Sequence, residues 1–245
     1  MIDVHCHVLF GVDDGAGTLD ESLAMIQVAL KHGMTKILCT PHSIPGHRFE
    51  INDFERLNKN FEKLKVAVKE KGYPIELYLG SEFQVSDSAL PWIEAKKIVT
   101  LNNTNRILVE LPWHYSGITT HSEEFYLQAL LNSGYRILIA HPERYKSVMQ
   151  NFDTIKRWRE MGCTFQVNST SLIPGESPEK KALAWRIVDE GYCDVIASDA
   201  HVFEGTRINN LEIIYNEIKD RYSEELAEKL CVENPLKCIT GEDFN

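Results

Sequence analysis

Seven short, apolar, β-prone runs punctuate this sequence, and the stretches between them have helical spacing. The runs are Ile2–Val4, Lys36–Thr40, Ile75–Gly80, Arg106–Leu111, Arg136–Ala140, Thr164–Val167 and Asp194–Ala197. Between them, Leu19–Lys31, Asn52–Lys71, Glu123–Asn132, Phe152–Met161 and Glu179–Glu190 carry apolar residues three and four apart, as in Leu57, Phe61, Leu64 and Val68. Gly33, Gly72, Gly134, Gly162 and Gly191 each follow a helical stretch and precede a run, where a left-handed C-cap is wanted. Alternating strands and helices imply a parallel sheet covered by helices. Over 245 residues no linker, low-complexity tract or charge block divides the chain. An α/β fold of one domain, residues 1–245, is expected, closed like a barrel, although periodicity alone also admits an open sheet. After Arg207 the spacing predicts terminal helices through Leu230 and a short tail.

The residues at the end of each run constrain the chemistry. The run ends read His5-Cys6-His7, Thr40-Pro41-His42, Gly80-Ser81-Glu82, Val109-Glu110, Ala140-His141-Pro142-Glu143-Arg144, Asn168-Ser169 and Ser198-Asp199-Ala200-His201. Catalytic groups of parallel βα folds gather at the carboxyl ends of the strands, where the βα loops converge. Six of the seven ends carry His, Asp or Glu, the residue types that bind borderline and hard cations. Residues two apart on a strand face the same way, so His5 and His7 reach one ion, as do Asp199 and His201, while Cys6 points away. Singly, each residue has an ordinary reading. A strand-end histidine is commonly a hydrogen-bonded structural residue. Asp14 would cap a helix beginning near Thr18, and Glu82 or Glu110 would be half of a salt bridge. Jointly, five histidines and four carboxylates on one rim carry a large desolvation penalty, which metal ligation removes. Nine ligands exceed the needs of one ion. Bridging carboxylates usually build multinuclear sites with ions about 3.5–4 Å apart.

The formal charge of −10 argues against a basic nucleic-acid footprint. Anionic substrates remain open to it, because bound metal ions reverse the local potential. The apolar runs fall short of a membrane span, and Met1-Ile2-Asp3-Val4-His5 lacks the features of a signal peptide. A cytoplasmic location without membrane insertion is expected. Cys6, Cys39, Cys163, Cys193, Cys231 and Cys238 show no Cys-x-x-Cys spacing and read as ordinary, mostly buried thiols.

These motifs resemble the PHP (polymerase and histidinol phosphatase) superfamily, and within it the bacterial tyrosine-protein phosphatases of capsular and exopolysaccharide biosynthesis. The resemblance covers essentially the whole chain. It runs through Ile2-Asp3-Val4-His5-Cys6-His7, Val12-Asp13-Asp14-Gly15, Thr40-Pro41-His42, Glu82, Glu110, His141-Pro142-Glu143-Arg144, Gln166-Val167-Asn168-Ser169 and Ile196-Ala197-Ser198-Asp199-Ala200-His201. It implies a distorted, TIM-barrel-like (β/α)7 barrel holding three divalent ions, described as manganese, although such a donor set also accepts iron, cobalt or zinc. Carried over by position, one ion takes His5, His7, Glu82 and Asp199. A second takes Glu82, Glu110 and His141, with Glu82 bridging. The third takes Asp14, His42 and His201. Arg144 and Arg207 match positions that face the substrate phosphate, and His42 or His201 would serve as acid if not committed to metal. Arg207 also reads as a surface arginine at a helix start. Cys6 stands where relatives often have serine.

The implied reaction is hydrolysis of phosphotyrosine on a capsule-synthesis tyrosine kinase, by attack of a metal-activated hydroxide. A thiol route lacks its cradle: the residues six positions after the cysteines are Val12, Pro45, Ser169, Asp199, Lys237 and Phe244, none an arginine. The alternatives are a small-molecule PHP phosphatase of the histidinol-phosphate type, a phosphodiesterase, or a non-catalytic metal-binding module. Trp113, Tyr115 and Tyr145 in the rim loops favour an aryl phosphate, and read equally as aromatics packing their own loops.

Overall fold

The computed structural model describes residues 1–112, 119–175 and 177–244. Among them are nine strands: β1 Ile2–Cys6, β2 Lys36–Cys39, β3 His42–Ser43, β4 Glu76–Leu79, β5 Glu82–Gln84, β6 Arg106–Glu110, β7 Arg136–Ala140, β8 Thr164–Asn168 and β9 Val195–Ala197. Seven of them fall on the seven runs of the sequence, and β3 and β5 lie just beyond the runs that end at Thr40 and Gly80. Pro41 has no N–H to give a ladder, so β2 stops and pairing resumes at β3. At Gly80 the chain passes Leu101 so closely that a Cβ would lie 2.9 Å from its Cδ2, and the break between β4 and β5 falls there.

The breaks sort the strands into two parallel sheets. β1, β2 and β4 form one, with Lys36 registered on Glu76. The other runs β3-β5-β6-β7-β8-β9, with His42 on Glu82, Gln84 on Glu110 and Arg106 on Arg136. First and last strands meet: Cys6 bridges Ala200, the Asp199 N–H donates to the His5 carbonyl (2.8 Å), and the His7 N–H to the Ala200 carbonyl (2.9 Å). The result is the expected α/β ring of parallel strands, distorted by its two interruptions.

Both faces of the strands are buried, as parallel sheets require. Val4, Leu38, Leu108, Leu138, Ala140, Val195 and Ala197 pack together inside the ring. Their strand neighbours Ile37, Ile107, Ile137, Ile139 and Ile196 pack outward against helices such as Leu19–Lys31 and Phe54–Glu70. Each buried aliphatic chain contributes roughly 1.5–3 kcal/mol. The five predicted cap glycines adopt positive φ.

One boundary of the sequence reading is corrected. Helix does not end near Leu230 but continues through a π turn at Lys229–Glu233 and the segment Asn234–Thr240, stopping at Gly241 with φ of 81°. Pro235 has no N–H to give the preceding turn, and the π turn falls directly before it. This last helix seats Cys238 and Ile239 against the inner cluster, at the amino ends of the strands. There the tail meets a row of arginines. Arg106 donates to the Glu242 carbonyl (2.9 Å), and Arg136 donates to the Gly241 carbonyl (2.7 Å) and pairs with Asp243 (3.1 Å). Among the described residues no helix is long and apolar enough to cross a membrane.

Candidate metal centre

The strand ends deliver all nine predicted donor residues to one place. Their ligand atoms fall into four sets, each lying within 4.8 Å: His5, His7 and Asp199; His5, Glu82 and His141; His42, Glu82 and Glu110; and His7, Asp14, His42 and His201. Glu82, from β5, sits at the centre. Its Oε1 is 2.9 Å from His141 Nε2 and 3.4 Å from His5 Nε2, and its Oε2 is 2.8 Å from His42 Nδ1 and 3.4 Å from His7 Nε2. Asp199 Oδ1 stands 3.4 Å from both His5 and His7 Nε2. Asp14 Oδ1 reaches His42 Nε2 at 3.4 Å and His201 Nε2 at 3.5 Å. The sets overlap more than expected, since His7 also joins the Asp14 group and His42 also faces Glu82 and Glu110. Asp14 is not the helix cap, a role Thr18 takes in a capping box with Glu21.

Residues that the sequence reading missed hold these donors in place. Gln166 Oε1 is 2.8 Å from His5 Nδ1, and Asp13 Oδ2 is 2.7 Å from His7 Nδ1, so each ring presents Nε2 to the cluster. Asp13 also accepts from the His42 and Gly15 N–H groups. Gln84 donates to Glu110 Oε2 (2.6 Å), and Asn168 Nδ2 to Asp199 Oδ2 (2.9 Å). Beneath them, Asp3 accepts from Ser198 and Asn209, fixing the turn that carries Asp199. One available signal was parity: Gln166 and Asn168 lie two apart at the end of β8, as His5 and His7 do at β1.

Charge in the cluster is tightly divided. Burial disfavours the imidazolium of His5, yet Glu82 and Asp199 outweigh it and raise its pKa; burial likewise opposes His7, which Asp13 raises further. His42, against burial, is pushed up to about 9 by Glu82. Burial wins at His141 and His201, each lowered to about 4. Glu82 and Asp199 lie well below the carboxylate range despite burial, through His5 and, respectively, His42 and Arg144. The carboxylates thus favour positive charge at His5, His7 and His42, the sign of charge that divalent ions supply. The donors fit such ions: they are imidazole nitrogens and carboxylate oxygens only. Glu82 Oε2 and His42 Nδ1 are buried and 2.8 Å apart, yet neither is aligned for a hydrogen bond to the other or to another group.

A cavity of about 340 Å³ opens over Asp14, His42, Glu82 and Glu110. Arg144 and Arg207 reach it through Asp199: Arg144 Nη1 is 2.7 Å from Oδ2, and Arg207 Nη2 is 3.3 Å from both oxygens and 3.1 Å from His201 Nε2. Arg207 is therefore part of the site rather than a bare surface residue. The six cysteines are all buried, and among the described residues none belongs to a donor set. Tyr145 corrects the expectation of a rim aromatic. It is buried, with its hydroxyl accepting from the Leu111 N–H (2.9 Å) and its ring edge-on to Trp158. Trp113 and Tyr115 lie outside the described residues.

Parallel strands with histidines and carboxylates massed at their carboxyl ends define a class of metal-ligating α/β proteins. More narrowly, the family described as "Capsular polysaccharide synthesis, CpsB/CapC" matches residues 1–240, and the chain belongs to it. The tyrosine-protein phosphatase CpsB of Streptococcus pneumoniae is 32% identical over 247 aligned residues, covering 99% of this chain and 99% of its own. The tyrosine-protein phosphatase YwqE of Bacillus subtilis is 29% identical, covering 88% and 83%. A solved structure from the pair YwqE and CpsB, described as unique metal-dependent tyrosine phosphatases, superposes with a TM-score of 0.86 at 27% identity, covering 100% of this chain and 96% of that one. A histidinol phosphate phosphatase from Lactococcus lactis shares the fold, with a TM-score of 0.56 at 15% identity.

Proposed function

We propose that this chain is a metal-dependent protein-tyrosine phosphatase of capsule or exopolysaccharide synthesis, one domain over residues 1–245, whose substrate is a phosphotyrosine-bearing bacterial tyrosine kinase. The observation that carries the reading is the convergence of nine nitrogen and oxygen donors beside two arginines. The full-length likeness to proteins named tyrosine-protein phosphatases supports it. Three divalent ions, manganese in the first instance, would be held by His5, His7, Glu82 and Asp199; by Glu82, Glu110 and His141; and by Asp14, His42 and His201. Ions bound there supply Lewis acidity and lower the pKa of water toward neutrality.

The chain's own residues do the rest. Arg144 and Arg207 hold the phosphoryl oxygens and oppose the charge that develops on them. Asp13 and Gln166 keep the His7 and His5 rings turned toward the donors, and Gln84 steadies Glu110. His42 and His201 both lie in the donor sets, which argues against either acting as a strong acid. A phenolate leaving group, with a pKa of about 10, needs that help less than an alkoxide does. The decisive experiment compares specificity constants of the manganese-loaded protein for a kinase-tail phosphotyrosine peptide and for histidinol phosphate. The peptide is expected to win clearly. A higher value for histidinol phosphate would overturn the reading in favour of a small-molecule phosphatase.

A further inference from the structure

Tyr145 is buried, yet a phenyl ring does line the cavity, and it comes from a segment to which the strand-end motifs do not point. Phe49 lies seven residues past His42, in the loop between β3 and the helix Phe54–Glu70. That loop is built rather than loose. The Ile44 N–H donates to the Phe49 carbonyl (3.2 Å), the His47 N–H to the Ile44 carbonyl (3.0 Å), and the Gly46 N–H to Glu50 Oε2 (2.5 Å). Gly46 has a φ of 80°, a left-handed turn that glycine adopts without strain. The fold sets the ring nearly parallel to His42, with 14° between the planes and 5.9 Å between the centroids. Ile44 continues the same wall of the cavity.

We propose that Phe49 is a specificity-determining residue, the wall against which the aryl group of the phosphomonoester lies. The inference rests on the phosphatase reading of this site. With its phosphoryl group at the donors and arginines, a phosphotyrosine extends about 6 Å of ring and staggered side chain outward. Phe49 stands at about that remove from His42. The exposed Arg48 guanidinium now lies 4.6 Å from the Phe49 ring centroid. A long solvated side chain gives way readily, so the π face it covers is available to a ligand. An alkyl phosphate would gain little from this wall, and an aryl phosphate gains an offset or edge-on ring contact.

The test is calorimetric binding of two non-hydrolysable probes to the manganese-loaded protein, phenylphosphonate and methylphosphonate. Phe49→Ala is expected to weaken phenylphosphonate by about threefold to tenfold, the scale of one aromatic pair. Methylphosphonate binding should not change, and Phe49→Tyr should restore the wild-type value for the aryl probe. Phe49→Leu keeps the apolar bulk without the π face, and carries the same expected loss should the alanine variant not fold. Equal weakening of both probes, or no change in either, would overturn the assignment. Failure of the wild-type protein to hydrolyse phosphotyrosine peptides would instead sink the phosphatase reading, while the calorimetry still reports on Phe49.

Discussion

The two ends of the strand ring crowd charge in opposite senses. At the amino ends, Arg106 and Arg136 are direct neighbours in register on β6 and β7, a like-charge juxtaposition that is ordinarily unfavourable. The chain resolves the conflict itself. Backbone carbonyls of Gly241 and Glu242, the carboxylate of Asp243 and the Phe244 ring, 4.0 Å from the Arg106 guanidinium, all come from the tail. Nearby, Asp194 takes both arms of Arg159 and the Phe165 N–H. At the carboxyl ends, Glu82 is faced by the imidazoles of His5, His7, His42 and His141, and Asp199 by those of His5 and His7. A cluster that closes on its own chain is a structural device, whereas carboxylates gathered with imidazoles within 4.8 Å are suited to cations from outside.

Removing the cation is the harshest way to break that contrast. Chelation is expected to abolish aryl-phosphate hydrolysis and manganese to restore it. Glu82→Ala should lose metal by elemental analysis, because this carboxylate contacts four histidines at once. Retention of full metal content in that variant would show that Glu82 is not a bridge. Next in size, Arg144→Ala should keep its metals yet lose about 10²-fold in turnover, the scale of removing one preorganised donor to the transition state. Metal loss equal to that of Glu82→Ala would collapse the division between donors and phosphate holders.

The far end should respond differently. Asp194→Ala leaves Arg159 and the Phe165 N–H short of an acceptor, and is expected to destabilise the fold by about 1–3 kcal/mol in chemical denaturation. Metal content and specificity constant per folded molecule should stay unchanged, and a loss of metals would show that the two ends are coupled. The smallest effect is expected from thiol reagents. Burial raises Cys6, Cys39 and Cys193 well above the usual thiol range and Cys163, Cys231 and Cys238 to about 12, so iodoacetamide near neutral pH should leave the native enzyme unlabelled and active. Rapid labelling with parallel inactivation would reopen a thiol mechanism.

Much of this architecture is legible in the bare sequence, for identifiable reasons. Seven strands announce themselves because their apolar residues face helices on one side and the ring interior on the other. The nine donors are legible because parallel strands place their carboxyl ends on one rim. The short strands β3 and β5 are not legible, because they follow the runs that end at Thr40 and Gly80 and are too short to show a period of their own, and the close approach at Gly80 is to the distant Leu101. Gln166 and Asn168 stand in a quoted motif without a role, and Gln84 in none, because amides ligate poorly and act here through other side chains. Asp13 is masked by its neighbour Asp14. Tyr145 misleads because position in a rim loop does not fix the direction of a side chain, and Leu111 captures its hydroxyl. Phe49 escapes for the converse reason, reaching the cavity from beyond the motif that ends at His42.

Two donors leave their strands in a backbone conformation that few residues accept: His141 has φ of 36° and Asp199 of 52°. Asp and His tolerate the left-handed region better than most, yet such a residue still carries about 1 kcal/mol or more of strain. Glycine would relieve it at either position and would also remove a buried charge or ring. At 199, however, glycine would also strip Arg144 and Asn168 of their acceptor, so the relief of strain trades against buried contacts. Any effort to harden this protein by screening for melting temperature would hold those two positions fixed, because the strain they carry belongs to the proposed donor cluster.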